Sequence, residues 1–177
     1  MLAAAFSVSL AALCTGIALG YTSMGQAGGN GAWAGPEGQG GAVSFTAILV
    51  RNTGAAVLLF SGVLTAGAST VVALGLMASY IGATFGAAAR TAGVHEALGS
   101  IVLYAPVEFF GLLLAATAGL LPMTAGVANA LRSSTEDGRS PVRAYVESVG
   151  LSLRTLVVAV VVIFIAALVE SVVIFAR

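Results

Sequence analysis

The chain has 177 residues, of which 59% are apolar and 8% are charged, with a mean hydropathy of +1.05. A water-soluble domain carries roughly 25% charged residues because its surface faces water. The composition of this chain therefore excludes a water-soluble domain and predicts an integral membrane protein. The formal net charge of zero excludes a nucleic-acid partner, since phosphate binding needs clustered lysine and arginine. The single cysteine, Cys14, excludes an intrachain disulfide and a cysteine-based zinc site, and no metal or cofactor is expected.

The first apolar run, residues 2–20, is predicted to be a transmembrane helix. It lacks the basic residues that begin a cleaved secretory signal, so we expect it to be retained. The glycine-rich stretch that follows, residues 21–50, is predicted to be a loop with Tyr21 and Trp33 at the membrane interface. Its glycines do not predict phosphate binding, because neither a lysine nor a strand-to-helix pattern follows them.

Residues 55–89 contain no charged side chain and are too many for one span. At about 1.5 Å per residue, a single helix of this length would exceed a hydrocarbon core about 30 Å thick. The sequence TAGAST at residues 65–70 is the expected break. The sequence therefore predicts two helices, residues 53–67 and 69–89, in a tight hairpin.

The C-terminal half is predicted to hold two more spans, residues 98–121 and 153–176. Between them, residues 122–152 form a charged loop in which Ser140 and Pro141 favour a helix start. Apolar residues at helical spacing after Pro141 predict a short interfacial helix before the last span. The predicted fold class is an all-α integral membrane protein, a compact bundle of about five transmembrane helices in a single domain.

The orientation of the bundle depends on arginine, which is enriched in cytoplasmic loops. With five spans, four arginines fall on the side of the charged loop and three on the other side. The N-terminus is therefore expected to be cytoplasmic, by a margin of one charge.

Glycines one helical turn apart predict where the helices pack. Small residues four positions apart allow membrane helices to approach closely. Gly16 and Gly20 form such a pair in the first helix and Gly82 and Gly86 in the third, while Gly119 belongs to a small-residue series in the fourth. We expect these residues to lie at helix–helix contacts.

Two carboxylates lie within predicted spans, Glu108 about halfway along the fourth and Glu170 near the end of the fifth. A charge near the bilayer centre costs on the order of 3 kcal/mol, so each carboxylate needs a polar neighbour. Three roles are open for Glu108: mending a helix break at Pro106 together with Tyr104, acting as a proton relay or ligand, or contacting another chain. An alternative role for Glu170 is purely interfacial, because a side chain near a helix end can reach the membrane interface and Arg177 follows two turns later.

His95 and Glu96 lie in the predicted polar loop before the fourth span. A general acid–base pair would need His95 about 3 Å from a carboxylate or a substrate atom, and a solvated loop position is the simpler interpretation. No GxSxG, HExxH, SxxK or Walker sequence accompanies them.

Three segments resemble the stage II sporulation protein M family. Asn52 opens a short apolar segment and a glycine-rich hairpin, as an asparagine does in that family. The segment VEFFGLLLAATAGLL resembles the region that follows the family's central glutamate, with Glu108 and Gly119 at the matching positions. The segment IAALVES resembles the family's terminal motif, with Glu170 as the matching glutamate.

One motif of the family is not kept. Leu103, Tyr104 and Ala105 stand where the family has Pro-His-Gly, and the nearest proline is Pro106. Any role of the family's histidine is therefore not carried over to Tyr104.

The resemblance implies a multi-pass protein of the bacterial cell membrane. Sporulation members of the family organise peptidoglycan-remodelling partners in the membrane, and related proteins accompany ribosomal peptide systems in export or self-protection. The leading hypothesis is therefore a non-enzymatic membrane subunit that scaffolds a partner protein or assists export of, or protection against, a peptide.

Two other functions are carried as alternatives. An intramembrane peptide-modifying enzyme, or one subunit of it, would use Glu108 with Tyr104 or Glu170 as acid and base. A small proton-coupled transporter ranks third, because the sequence lacks the inverted repeats expected of one. The expected partners are the lipid bilayer and another membrane protein or a second copy of the chain, with a hydrophobic peptide as a further candidate.

Overall fold

The computed structural model describes residues 1–26, 45–132 and 140–175. Within these ranges the chain is almost entirely helical and contains no strand. In chain order the helices are α1 (Leu2–Gln26), α2 (Phe45–Phe60), a 3₁₀ helix (Ser61–Val63), α3 (Ala68–Thr91), α4 (Val94–Ile101), α5 (Ala105–Arg132) and α6 (Pro141–Phe175). Helices α1, α3, α5 and α6 are long and apolar enough to cross a membrane, and so is α2 together with the 3₁₀ helix that continues it to Val63. The predicted fold class, an all-α integral membrane protein with five spans, is confirmed.

Helices α1 and α2 extend into the stretch predicted to be a glycine-rich loop. Residues 21–26 remain helical, and the hydroxyls of Thr22 and Ser23 donate to carbonyls of their own helix at 2.8–3.0 Å. Helix α2 begins at Phe45 because the apolar sequence FTAILV continues the helical pattern upstream of residue 53. Trp33 lies outside the described residues.

A left-handed turn separates α2 from α3 within the predicted break at residues 65–70. Ala66 and Gly67 have φ angles of 49° and 85°. A Cβ atom on Gly67 would lie 2.7 Å from the Met123 sulfur, so both the dihedral angle and the space at this turn require glycine. The turn therefore packs directly on α5.

Helices α1 and α3 pack closely along small residues. A Cβ atom on Gly16 would lie 2.5 Å from the Ala78 Cβ, and one on Gly86 would lie 3.2 Å from the Tyr21 ring. Because position 16 faces position 78 and position 21 faces position 86, the two helices run parallel. The glycines at this contact are Gly16, Gly20, Gly82 and Gly86.

Helices α5 and α6 form the central antiparallel hairpin. Gly111 on α5 faces Ile163 on α6, and Ala118 on α5 faces Ser152 on α6. The apolar core draws its residues from α2, α3 and both helices of this hairpin. Its fully or nearly buried residues are Ala56, Leu59, Ala73, Leu74, Leu112, Ala115, Ala116, Ala159 and Ile163.

The charged loop predicted for residues 122–152 is mostly helical. Helix α5 continues through Pro122 to Arg132, and α6 begins at Pro141, as Ser140 and Pro141 had indicated. The prediction of a separate interfacial helix is wrong, because α6 is one continuous helix of 35 residues. No proline follows Pro141, so the backbone hydrogen bonds of α6 are not interrupted.

Contacts between distant segments show which helix ends share a side of the bundle. The Tyr145 hydroxyl at the start of α6 donates to the Val63 carbonyl at 2.5 Å. Ala5 near the start of α1 packs with Leu120 and Leu121 of α5. The start of α1, the turn after α2 and the start of α6 therefore lie at one end of the bundle. The end of α1, the start of α5 and the end of α6 lie at the other.

Candidate functional site

Glu108 lies at the start of α5, and the prediction that it sits halfway along a span is wrong. The helix begins at Ala105, after a turn in which the Tyr104 carbonyl accepts the N–H groups of Val107 and Glu108 at 3.1 Å. Pro106 is the second residue of the helix, where its missing N–H costs no intrahelical hydrogen bond. Glu108 therefore does not mend a break at Pro106, and its carboxylate lies in the first turn, next to the positive end of the helix dipole.

The proline that interrupts a membrane helix is Pro122, which is fully buried inside α5. Proline lacks the N–H that would bind the carbonyl four residues earlier, which is the Ala118 carbonyl. The hydroxyl of Ser152 on α6 donates a hydrogen bond to that carbonyl. The sequence did not identify Ser152, because the compensating donor comes from another helix.

Glu170 lies near the end of α6, five residues before its last residue, Phe175. Since α5 and α6 are antiparallel, the end of α6 lies beside the start of α5, and Glu170 interacts electrostatically with Glu108. Both side chains are half-buried. Arg177, the interfacial partner considered for Glu170, lies outside the described residues.

Arg51 is a third charged side chain near the two carboxylates, and it was not predicted as a site residue. The sequence placed it before the second span, as a charge that sets topology, but α2 begins at Phe45 and carries Arg51 within it. Arg51 interacts electrostatically with both Glu108 and Glu170. Its side chain is exposed on the surface of the bundle and forms no ion pair with either carboxylate in the described structure.

Asn52 follows Arg51 and lies on the opposite, buried side of α2. It is 5% exposed and shares a face with Ile48, Ala56 and Leu59, the face that packs on the α5–α6 hairpin. Among the described residues, the buried side-chain atom without a hydrogen-bond partner is the Ser9 hydroxyl oxygen of α1, not an atom of the Asn52 amide.

Glu108 and Glu170 lie at the same end of the bundle, about one helical turn apart in depth. Gly111 of α5 faces Ile163 of α6, so Glu108 is level with about Ala166 and Glu170 is level with about Tyr104. Asn52 lies deeper, because α2 and α5 run in the same direction and Leu59 of α2 meets Gly119 of α5, which puts Asn52 level with about Leu112 of the apolar core.

The remaining predicted site residues lie around or away from Glu108 and Glu170. Tyr104 is half-buried in the turn before α5, at the same end of the bundle as Glu108 and Glu170. His95 and Glu96 are exposed on the short helix α4, so the predicted polar loop is helical there. Gly119 lies at a different contact, where α5 meets the Leu59 carbonyl of α2 and the Thr70 hydroxyl of α3.

The chemistry available at Glu108 and Glu170 is that of oxygen acceptors. Their two carboxylates accept hydrogen bonds and donate none when ionised. In the ranges that the structure describes, no three histidine, cysteine, aspartate or glutamate side chains lie together as metal ligands. The arrangement is suited to a group that donates hydrogen bonds and carries positive charge.

Comparison with known proteins identifies the family. The sequence model of the stage II sporulation protein M family matches residues 5–173, a range that includes Arg51, Asn52, Glu108 and Glu170. Neither the curated proteins nor the solved structures give a significant match to the chain. Because the family match spans nearly the whole chain, this five-span membrane protein belongs to the stage II sporulation protein M family.

Proposed function

We propose that the chain is a non-enzymatic membrane subunit that scaffolds a partner protein within the bilayer. The observation that carries the proposal is the set of charged side chains within the spans. Arg51, Glu108 and Glu170 come from three helices, interact electrostatically and do not form direct ion pairs with one another. Charged groups at membrane depth are retained when they meet a partner or a polar pathway.

The position of this set at the bundle surface favours a protein partner. Arg51 is exposed, and Glu108 and Glu170 are half-buried, so a helix of another protein can approach them from the lipid side. We place this subunit in the bacterial cell membrane with its N-terminus in the cytoplasm, as the arginine count indicates.

The test of the scaffold uses the chain in its native host. The tagged protein is purified in mild detergent, and co-purifying proteins are quantified by mass spectrometry. A photo-crosslinking amino acid at Val50, next to Arg51, is compared with one at Val72, at the opposite end of the bundle; these valines are 66% and 62% exposed. A stoichiometric partner that crosslinks from position 50 and not from position 72 supports the proposal. Purification of the chain alone contradicts it.

One observation favours the enzyme as a second candidate. Tyr104, Glu108 and Glu170 lie at the same end of the bundle, and the two carboxylates interact electrostatically. An acid and a base near one another are the minimum for proton transfer on a peptide. The variant Glu108→Gln separates the candidates. A scaffold retains its partner because glutamine still forms hydrogen bonds and Glu170 remains, whereas an enzyme keeps its complex and loses modification of the peptide.

A further inference from the structure

The short helix α4 divides its side chains sharply into an apolar face and a polar face. Val94, Ala97, Leu98 and Ile101 recur at the spacing of one helical face. Glu96 lies on the opposite face and is exposed. A helix of this kind suits a boundary, with one face in an apolar medium and the other in water.

The bundle covers only a small part of the apolar face of α4. Ala97 is 5% exposed, and α4 packs on α3. Val94 and Leu98, one turn apart on the same face, are 51% and 47% exposed. Val102 and Leu103, in the turn that follows α4, are 57% and 59% exposed and extend the apolar surface. This surface is therefore left open by the part of the chain that the structure describes.

The position of α4 in the chain places the open surface at the membrane. Helix α4 begins three positions after the last residue of α3, Thr91, and ends four positions before the first residue of α5, Ala105. Both neighbours are long and apolar enough to span a bilayer, so α4 lies where two spans meet one side of the membrane. The apolar surface continues along the chain into α5, where Phe110 is 48% exposed.

We propose that α4 is an interfacial helix that inserts Val94 and Leu98 between the lipid headgroups and the acyl chains, with Glu96 turned toward water. The inference does not depend on the proposed scaffold function, because the ligand of this surface is the bilayer itself. Helices with this division of side chains bind lipid through their apolar area. The interfacial helix therefore precedes α5, whereas the sequence had predicted one before the last span.

A lipid interface satisfies both faces of α4, and neither water nor hydrocarbon does. In water, Val94 and Leu98 would remain exposed. In the hydrocarbon core, the exposed side chains of His95 and Glu96 would lose their hydration. The boundary between headgroups and acyl chains offers an apolar side and a wet side within the roughly 10 Å width of one helix.

The test measures the depth of spin labels on the full chain in phospholipid vesicles. Each label is attached to one introduced cysteine, Val94→Cys, Glu96→Cys or Leu98→Cys, in a chain whose exposed Cys14 is replaced by serine. Collisions of the label with oxygen, which concentrates in lipid, are compared with collisions with a water-soluble nickel chelate. A label at Val157, which is 63% exposed near the middle of α6, gives the reference for hydrocarbon.

The labels at positions 94 and 98 are expected to favour oxygen and to lie about 5–10 Å into the boundary between headgroups and acyl chains. The label at position 96, on the other face of the same helix, is expected to favour the nickel chelate. Because Val94 and Leu98 are exposed, a label there replaces no packed side chain, and either position alone decides the question.

Three results overturn the proposal. Equal access of the nickel chelate to positions 96 and 98 places the whole of α4 in water. A preference for oxygen at position 96 places the helix inside the hydrocarbon. Protection of positions 94 and 98 from both reagents shows that protein, such as a second copy of the chain, covers the apolar face.

Discussion

Replacing Ser152 by alanine tests how a proline is accommodated in the centre of this bundle. Ser152 is fully buried, and its hydroxyl is the donor for the Ala118 carbonyl that Pro122 leaves without a backbone N–H. Hydrogen bonds between membrane helices average about 0.6 kcal/mol and reach about 1.7 kcal/mol. The loss here belongs at the upper end, about 1.5 kcal/mol, because the substitution leaves a buried carbonyl with no alternative donor.

The assay is reversible unfolding of the purified chain in mixed detergent micelles with increasing dodecyl sulfate, followed by far-ultraviolet circular dichroism. The control is Thr155→Ala, one turn further along α6. The Thr155 hydroxyl donates to the Leu151 carbonyl of its own helix at 2.9 Å, so its removal leaves the regular backbone bond in place. We expect the control to change the free energy of unfolding by less than about 0.5 kcal/mol.

A double-mutant cycle separates this mechanism from a general packing effect. Pro122→Ala restores an N–H that can bind the Ala118 carbonyl, so the carbonyl no longer depends on Ser152. In this background Ser152→Ala is expected to cost about 1 kcal/mol less than in the wild type. An equal cost in both backgrounds would refute the reasoning, since Ser152 would then act independently of the proline.

Three further substitutions are measured in the same unfolding assay. Gly82→Ala is expected to cost about 1–3 kcal/mol because its Cβ atom would press on the backbone of α1, whereas Gly75→Ala, on the same helix with no atom within 4 Å, is expected to be neutral or slightly stabilising. Tyr145→Phe removes the 2.5 Å bond to the turn after α2 and is expected to cost about 0.6 kcal/mol and to speed proteolysis of that turn. Glu147→Gln breaks a pair with Arg143 whose side chains are 50% and 72% exposed, so a change above about 0.5 kcal/mol would contradict the expectation.

The apolar runs predicted the number and kind of the spans because membrane helices are specified locally. A helix satisfies all its backbone hydrogen bonds within one segment, so length and hydropathy suffice to find it. The break at residues 65–70 was also visible, since Gly67 sits in a turn that other residues do not easily adopt. The glycine spacing indicated Gly16, Gly20, Gly82 and Gly86 together, and these lie at one contact between α1 and α3.

What the sequence did not reveal depends on contacts between helices. Local rules predict that a helix ends near Pro122, but α5 continues through it, and the Ser152 hydroxyl of another helix donates to the Ala118 carbonyl that the proline leaves without its N–H donor. Arg51 was counted among the arginines outside the spans because the glycine-rich stretch before it obscured where α2 begins. Glu108 and Glu170 were singled out separately, and the antiparallel α5–α6 register that brings them to the same end of the bundle is encoded by no local pattern.

The continuity of α6 has a mechanical consequence. Its 35 residues make a rod about 52 Å long, considerably longer than a hydrocarbon core about 30 Å thick. Glu170 lies near one end of this rod and Arg143 near the other, at opposite ends of the bundle. A stiff rod that pivots inside the bilayer swings its two ends in opposite directions. Because α6 is unbroken, a tilt imposed on its Glu170 end would displace its Arg143 end in the opposite direction.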